Sequence, residues 1–225
     1  LAQAAGITTL TATASKTNTF TIKSGYTSDL TIAMAATEVI DASAYTGTLT
    51  ITGDMDLIAS GDTLTAGTGT ADELQLSADT NTDSLNAAKM ANVSGFEKVT
   101  FTKDVAATFK THEGNVADGK SLTVDATAIK TAKFTFDGSA ENDGTFSISA
   151  AGNKAHTVTL GNSHDTYSSS SIGADKVTAT AGNNTISTGD GDDTVIGGSG
   201  GDTIKTQNGA DTIQFTTSNF TSSDT

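Results

Sequence analysis

The chain has 225 residues and a formal net charge of −14, with 35% hydrophobic and 5% aromatic residues and no Cys, Pro, Trp or Arg. Without cysteine it carries no disulfide staple, and twelve lysines scattered singly against 26 acidic residues leave no basic patch for nucleic acid or an anionic membrane. So few large side chains predict a thin core of stacked repeats in place of a thick globular one, and no apolar stretch approaches the roughly 20 residues of a membrane span.

Leu1 is not preceded by a basic-then-apolar signal segment and is read as an internal residue of a longer protein. From Thr8 to Ile32, Thr alternates with apolar residues, as in Thr19-Phe20-Thr21-Ile22, and this period of two predicts short strands. Turn signals separate them at Ser24-Gly25, Thr46-Gly47, Thr52-Gly53 and Ser60-Gly61. Asp83 to Asn92 carries helix formers, with Leu85, Lys89 and Met90 at helical spacing, and predicts a short helix. After Ser94-Gly95, Phe96 to Phe101 returns to strand alternation.

The segment Val39-Ile40-Asp41-Ala42-Ser43-Ala44 resembles Thr123-Val124-Asp125-Ala126-Thr127-Ala128, 84 residues on, and predicts a duplicated supersecondary unit. Two regions are expected: 1–137, Thr-rich and strand-forming with a short helix near 83–92, and 138–225, a β-solenoid running into a roll. The fold class is all-β.

From Ser170 the chain divides into five consecutive blocks of nine residues ending at Gln214. The fourth, Gly197-Gly198-Ser199-Gly200-Gly201-Asp202-Thr203-Ile204-Lys205, is a full match to Gly-Gly-x-Gly-x-Asp-x-apolar-x. In the others the fourth position is Gly173, Gly182, Gly191 and Gly209, the sixth is Asp175, Asn184, Asp193 and Asp211, and the eighth is Val177, Ile186, Val195 and Ile213. Glycine permits the tight loop and leaves carbonyl oxygens free, aspartate adds hard anionic oxygen of the kind calcium prefers, and the eighth residue points inward from a short strand.

These blocks resemble the calcium-binding β-roll of repeats-in-toxin proteins, a parallel solenoid in which loop n stacks on loop n+2. The resemblance implies one edge carrying Asp175, Asp193 and Asp211, a second carrying Asn184 and Asp202, and about three calcium ions between stacked loops. Gly189, Gly191, Gly198, Gly200 and Gly209 would supply backbone ligands beside the aspartates of Thr188 to Asp211. Asp190 and Asp192 read as solvated charge. Ser170-Ser171 and Thr206-Gln207 depart from the glycine pattern, and Asn184 replaces a charged ligand by a neutral one. Upstream, Val158 and Tyr167 continue the apolar spacing with Asp165 two residues before Tyr167, and Gly67 to Leu74 places Asp72 in a similar setting; both are weaker metal candidates.

His112, His156 and His164 are too dispersed for a zinc site and are expected at the surface. No serine elbow or phosphate loop occurs, and no enzyme is expected. The Thr-rich strands, Ile40-Asp41-Ala42-Ser43 and Val93-Ser94-Gly95-Phe96-Glu97 resemble parts of bacterial surface-layer proteins of the Caulobacter type. That resemblance implies type I secretion, calcium-dependent folding, a homo-oligomeric two-dimensional lattice on the extracellular bacterial cell surface, and a cell-surface polysaccharide as anchor. A secreted adhesin or biofilm-matrix protein, or the calcium-binding tail of a secreted hydrolase, are the alternatives.

Overall fold

Short strands with one apolar row bury it only by stacking on other strands, and this chain does so by winding. The computed structural model describes residues 6–14 and 16–215. Odd and even strands first alternate between two faces: β1 (Thr9–Thr11), β2 (Asn18–Thr21), β3 (Leu30–Ala33), β4 (Glu38–Asp41), β5 (Leu49–Asp54), β6 (Thr63–Thr65) and β7 (Glu73–Ser77). The next coil is wider and holds β8 (Ser84–Leu85), helix α1 (Ala87–Met90) and β9 (Val93–Ser94) before β10 (Lys98–Phe101). Then follow β11 (Ala107–Lys110), β12 (Ser121–Ala126), β13 (Phe134–Asp137), β14 (Thr145–Gly152), β15 (Thr157–Thr159) and β16 (Thr166–Ser171). The nonapeptide blocks supply β17 (Lys176–Thr178), β18 (Thr185–Ser187), β19 (Thr194–Ile196), β20 (Thr203–Lys205) and β21 (Thr212–Gln214).

Every pairing among the described residues is parallel, as in a β-solenoid. One face is a ten-stranded sheet running from β1 to β20; the other is split into a four-stranded sheet, β2-β4-β6-β9, and a seven-stranded sheet from β8 to β21. The split falls in the coil of α1, which contributes a strand to each part. A 3₁₀ turn at Met55–Leu57 packs on β8 and another at Glu113–Asn115 packs on β9, so the two partial sheets are each covered where the other begins.

Register keeps like on like. In the ten-stranded sheet Leu10, Ile32, Ile51, Leu74, Val99, Val124, Ile148, Tyr167, Ile186 and Ile204 are successive partners, one inward apolar residue per coil. On the facing sheet Leu85, Phe109, Phe136, Val158, Val177 and Val195 do the same, and Ile213 keeps the register but is exposed, contrary to the inward position expected for the eighth residue. A register slip of one residue would turn a whole row to solvent, so the ladder fixes how loops at the edges stack. Coil length narrows from 25 residues between partners Lys98 and Thr123 to 18 between Thr185 and Thr203, two blocks of nine per coil. The ten-stranded sheet continues through β12 and β14 across residue 137.

The core differs from the thin one expected. In the wide middle coils Phe101, Phe109, Phe134, Phe136 and Phe146 are all buried, and their rings pack with centroids 5.0 to 6.1 Å apart. Few aromatic residues suffice because they cluster where the coil is widest; the nonapeptide blocks are filled by Val, Ile and Ala179.

Three local expectations are corrected. The helix is confined to Ala87–Met90, because Asn86 caps it by accepting the N–H groups of Ala88 and Lys89, while Ser84-Leu85 pairs as a strand. Thr52-Gly53 lies inside β5 and makes no turn. The 84-residue duplication is no repeat of a coil: Asp41 ends a strand of the four-stranded sheet and Asp125 lies in β12 on the opposite face. What recurs is a corner, in which Asp Oδ1 accepts both the N–H and the hydroxyl of the residue two further on, at Asp41–Ser43, Asp125–Thr127 and again Asp137–Ser139. Among the described residues, no helix is long and apolar enough to cross a membrane.

Candidate calcium-binding edges

The residue immediately before each of β17 to β20 sits at the coil's edge and is buried, whereas Asp211 before β21 is half-buried. Asp175, Asn184, Asp193 and Asp202 are all 0 or 1% exposed. Each uses one oxygen to accept a backbone N–H from the coil before it. Asp193 Oδ1 accepts Asp175 N at 2.7 Å and Asp211 Oδ1 accepts Asp193 N at 2.9 Å, both across 18 residues. On the other edge Asp202 Oδ1 accepts Asn184 N at 2.9 Å, and Asn184 Oδ1 accepts Asp165 N at 2.9 Å. The five sixth-position residues thus form two columns, Asp175-Asp193-Asp211 and Asn184-Asp202, the grouping that stacking of loop n on loop n+2 requires.

Glycine is needed where backbone meets backbone. Gly182, Gly189, Gly191, Gly200 and Gly209 all have positive φ. A Cβ at Gly200 would lie 2.1 Å from Gly182 O, at Gly191 2.7 Å from Gly173 O, and at Gly209 1.8 Å from Gly191 O. Gly198 lacks positive φ, but its Cβ would lie 2.4 Å from Thr180 O. The loops therefore pile carbonyl over glycine, next to the carboxylate columns. Gln207, where the third and fourth blocks have Gly189 and Gly198, takes φ 62° without being glycine. Asp190 and Asp192 lie outside the columns and tie to the next loop: Asp190 Oδ1 accepts Asn208 Nδ2 and Asp192 Oδ1 accepts Ala210 N.

The second carboxylate oxygen separates these residues. Asp193 Oδ2 and the Thr188 hydroxyl beside it are both buried without a hydrogen bond of ordinary geometry, although the hydroxyl still favours the charged carboxylate. Burial raises the Asp193 carboxyl above its ordinary pKa, and the charges of Asp175 and Asp211 add to that. Asp175 Oδ2 instead accepts the buried hydroxyl of Tyr167 at 2.9 Å, yet burial still raises its pKa. Asn184 turns its amide onto the loop carbonyls, donating to Ala181 O at 3.0 Å and to Asp202 Oδ1 at 3.0 Å. A neutral donor there occupies the position a cation would share.

The two upstream candidates are bracketed by backbone. Asp72 accepts Leu49 N and Gly67 N, one with each oxygen, and Asp165 accepts Phe146 N and Gly161 N in the same way. Burial lifts Asp165 to about 6 and raises Asp72 as well. Three further members of this system escaped the sequence reading. His156 is buried, contrary to expectation: its Nδ1 accepts Phe134 N, its Nε2 then donates to Ala151 O, and its own N–H goes to Asp175 Oδ1. Glu97 accepts Asp72 N, and Asp62 accepts Glu38 N. Their common signal is an acceptor side chain immediately before a strand, whatever its residue type. His112 caps the turn at Glu113–Asn115 and His164 is exposed.

The donor set suits a hard divalent cation. It offers carboxylate oxygens, stacked carbonyls and a buried anionic oxygen without a backbone or cationic partner, with no sulfur or imidazole ligand in the loops. Residues 169–204 and 196–214 match the family model of the RTX calcium-binding nonapeptide repeat (4 copies). No curated protein and no solved structure matches the chain. The chain thus carries RTX-type repeats, which bind calcium and are typical of secreted, extracellular proteins.

Proposed function

We propose that this chain is a structural segment of a secreted bacterial surface layer, and that calcium gates both its folding and its assembly into a lattice. The observation that carries the gating is the buried Oδ2 of Asp193, which has no cationic or backbone partner and lies between two like-charged neighbours in its column. Ionised and unmatched, such a group opposes folding. Calcium, when bound, supplies the opposing charge; the chain's own part is to pre-stack the glycine loops and hold one oxygen of each aspartate on the backbone of the coil before.

About three ions are expected, in line with one between each pair of stacked loops: Asp175 with Asp193, Asp193 with Asp211, and Asn184 with Asp202. Asp193 and Asp211, with Gly189, Gly191 and Gly209, form the strongest of these. The positions at Asp175 and at Asn184 are weaker, because Tyr167 and the Asn184 amide already supply donors there. Asp202 with Gly198 and Gly200 completes the second edge.

In a low-calcium cytosol the mutual repulsion of these aspartates keeps the chain export-competent, and outside the cell ion binding becomes folding free energy. The role is architectural, without catalysis, and surface carboxylates bridge neighbouring copies through the same ion. Electron microscopy of the purified protein with and without calcium tests this. Ordered sheets only with calcium support it, and monomers in both conditions count against the lattice and favour an adhesin or the tail of a secreted hydrolase.

A further inference from the structure

Upstream of the repeats, the loop between β13 and β14 closes over Glu141, which is 0% exposed. Its Oε1 accepts Gly144 N at 3.0 Å and Asp143 N at 3.4 Å, while Oε2 is buried and has no hydrogen-bond partner. Carboxylate oxygens of Glu113 and Asp143 converge on it from the surface, and the ligand atoms of the three lie within 4.8 Å of one another. Glu113 belongs to the 3₁₀ turn of the preceding coil, and Asn142 Nδ2 holds its Oε2 in place. Among the described residues, the ion pairs formed by lysines go to Asp56, Glu73 and Asp137, so no lysine neutralises this group. Burial raises the Glu141 pKa, and Glu113 and Asp143 raise it further.

We propose that Glu113, Glu141 and Asp143 bind a divalent cation of the calcium class at a site outside the nonapeptide repeats. Three carboxylates with no sulfur or imidazole among them suit a hard ion, and the surface positions of Glu113 and Asp143 leave room for the water ligands that calcium accepts. The location gives the site a task. Asn162 N donates to Glu141 O at 3.0 Å and Asn162 Nδ2 to Asn142 Oδ1 at 2.6 Å, so the Glu141 loop holds the loop that leads to Asp165, where the second carboxylate column starts. An ion at Glu141 fixes the platform on which the narrow coils wind. The other acidic cluster, Asp54, Asp56, Asp79 and Asp83, lacks this feature, since its buried member Asp83 is hydrogen-bonded through both oxygens.

Equilibrium dialysis with labelled calcium on the 225-residue chain tests the site. The double variant Glu113→Gln/Asp143→Asn is expected to bind one ion fewer than the unaltered chain, with the loss adding to that caused by Asp193→Asn in the roll. Unchanged stoichiometry in the double variant overturns the site, whatever Asp193→Asn does, so failure here is distinct from failure of the roll. Glu141→Gln supplies a second measurement. With an ion bound at Glu141, this variant melts higher than the unaltered chain in chelator but gains less from calcium; an equal rise in both conditions overturns the proposal.

Discussion

At the scale of single residues, the roll depends on where each buried oxygen finds a donor. Tyr167 serves two purposes: its ring is one rung of the apolar ladder, and its hydroxyl satisfies Asp175 Oδ2 inside the core. Tyr167→Phe keeps the ring and strands the carboxylate oxygen, so it is expected to destabilise the calcium-free chain by about 1–3 kcal/mol. Urea unfolding in chelator checks this, and a change below about 0.5 kcal/mol would show that water replaces the hydroxyl. Gln207 is the reverse case, a side chain at φ 62° where other blocks place glycine. Gln207→Gly is expected to stabilise by about 1 kcal/mol, because the left-handed conformation costs a residue with Cβ roughly that much. A lower melting temperature for this variant would contradict the strain.

The loops and strands set which positions tolerate change. Gly200 has φ 120°, and a Cβ on it would lie 2.1 Å from Gly182 O, a backbone atom that cannot swing aside. Gly200→Ala is therefore expected to cost at least about 2 kcal/mol and to loosen the Asn184-Asp202 edge, which amide exchange of Thr203 N reads directly. Asn184→Asp should act in opposite directions with condition: it removes the amide donor beside Asp202, lowering stability in chelator by about 1–3 kcal/mol, and raises calcium binding on that edge. An Asn184→Asp chain that is no less stable in chelator would show that the amide is not standing in for a cation. Much of this element was legible beforehand. The apolar eighth position and the glycine spacing mark strands and loops because each demand narrows the choice, to Val or Ile on the strand and to glycine wherever a Cβ would meet backbone. Coil width was not legible, since partner spacing varies from 18 to 25 residues in one sheet and the wide coils lack a fixed motif. The column was visible where the glycine spacing marks it and not at Asp62, Glu97 or His156, which meet the same need for an acceptor at the edge of coils without that motif. The likeness of residues 39–44 to residues 123–128 misled for a related reason: an Asp with Ser or Thr two residues on is a local corner, and local hydrogen bonds recur without any repeat of topology.

Across the whole molecule these carboxylates link proton, calcium and fold. Burial raises the pKa of Asp72, Glu97, Glu141, Asp165, Asp175 and Asp193, and lifts Asp165 to about 6. For such groups the folded chain holds more protons than the unfolded one between the unfolded pKa of about 4 and the raised folded value, so stability falls as pH rises through that window. For Asp165, 1% exposed, the stabilising part is fully present below about pH 4, is lost as pH rises through about 6, and is on the order of 3 kcal/mol; for the others it is lost as pH rises through their raised values. Glu73, Asp83 and Asp137 go the other way: hydrogen bonds hold them below their ordinary values, so their stabilisation is lost only on acidification below about pH 4. The two sets therefore act in separate ranges. In chelator, acidification from pH 7 to pH 5 is expected to raise the urea midpoint, an unusual direction for an acidic protein. In saturating calcium the ion competes with protons for the same oxygens, and the same acidification should lower it. Two unfolding series, with chelator and with calcium, settle the matter: parallel pH slopes would mean that calcium does not meet the buried carboxylates, and slopes of opposite sign would tie the folding of the solenoid to the ion.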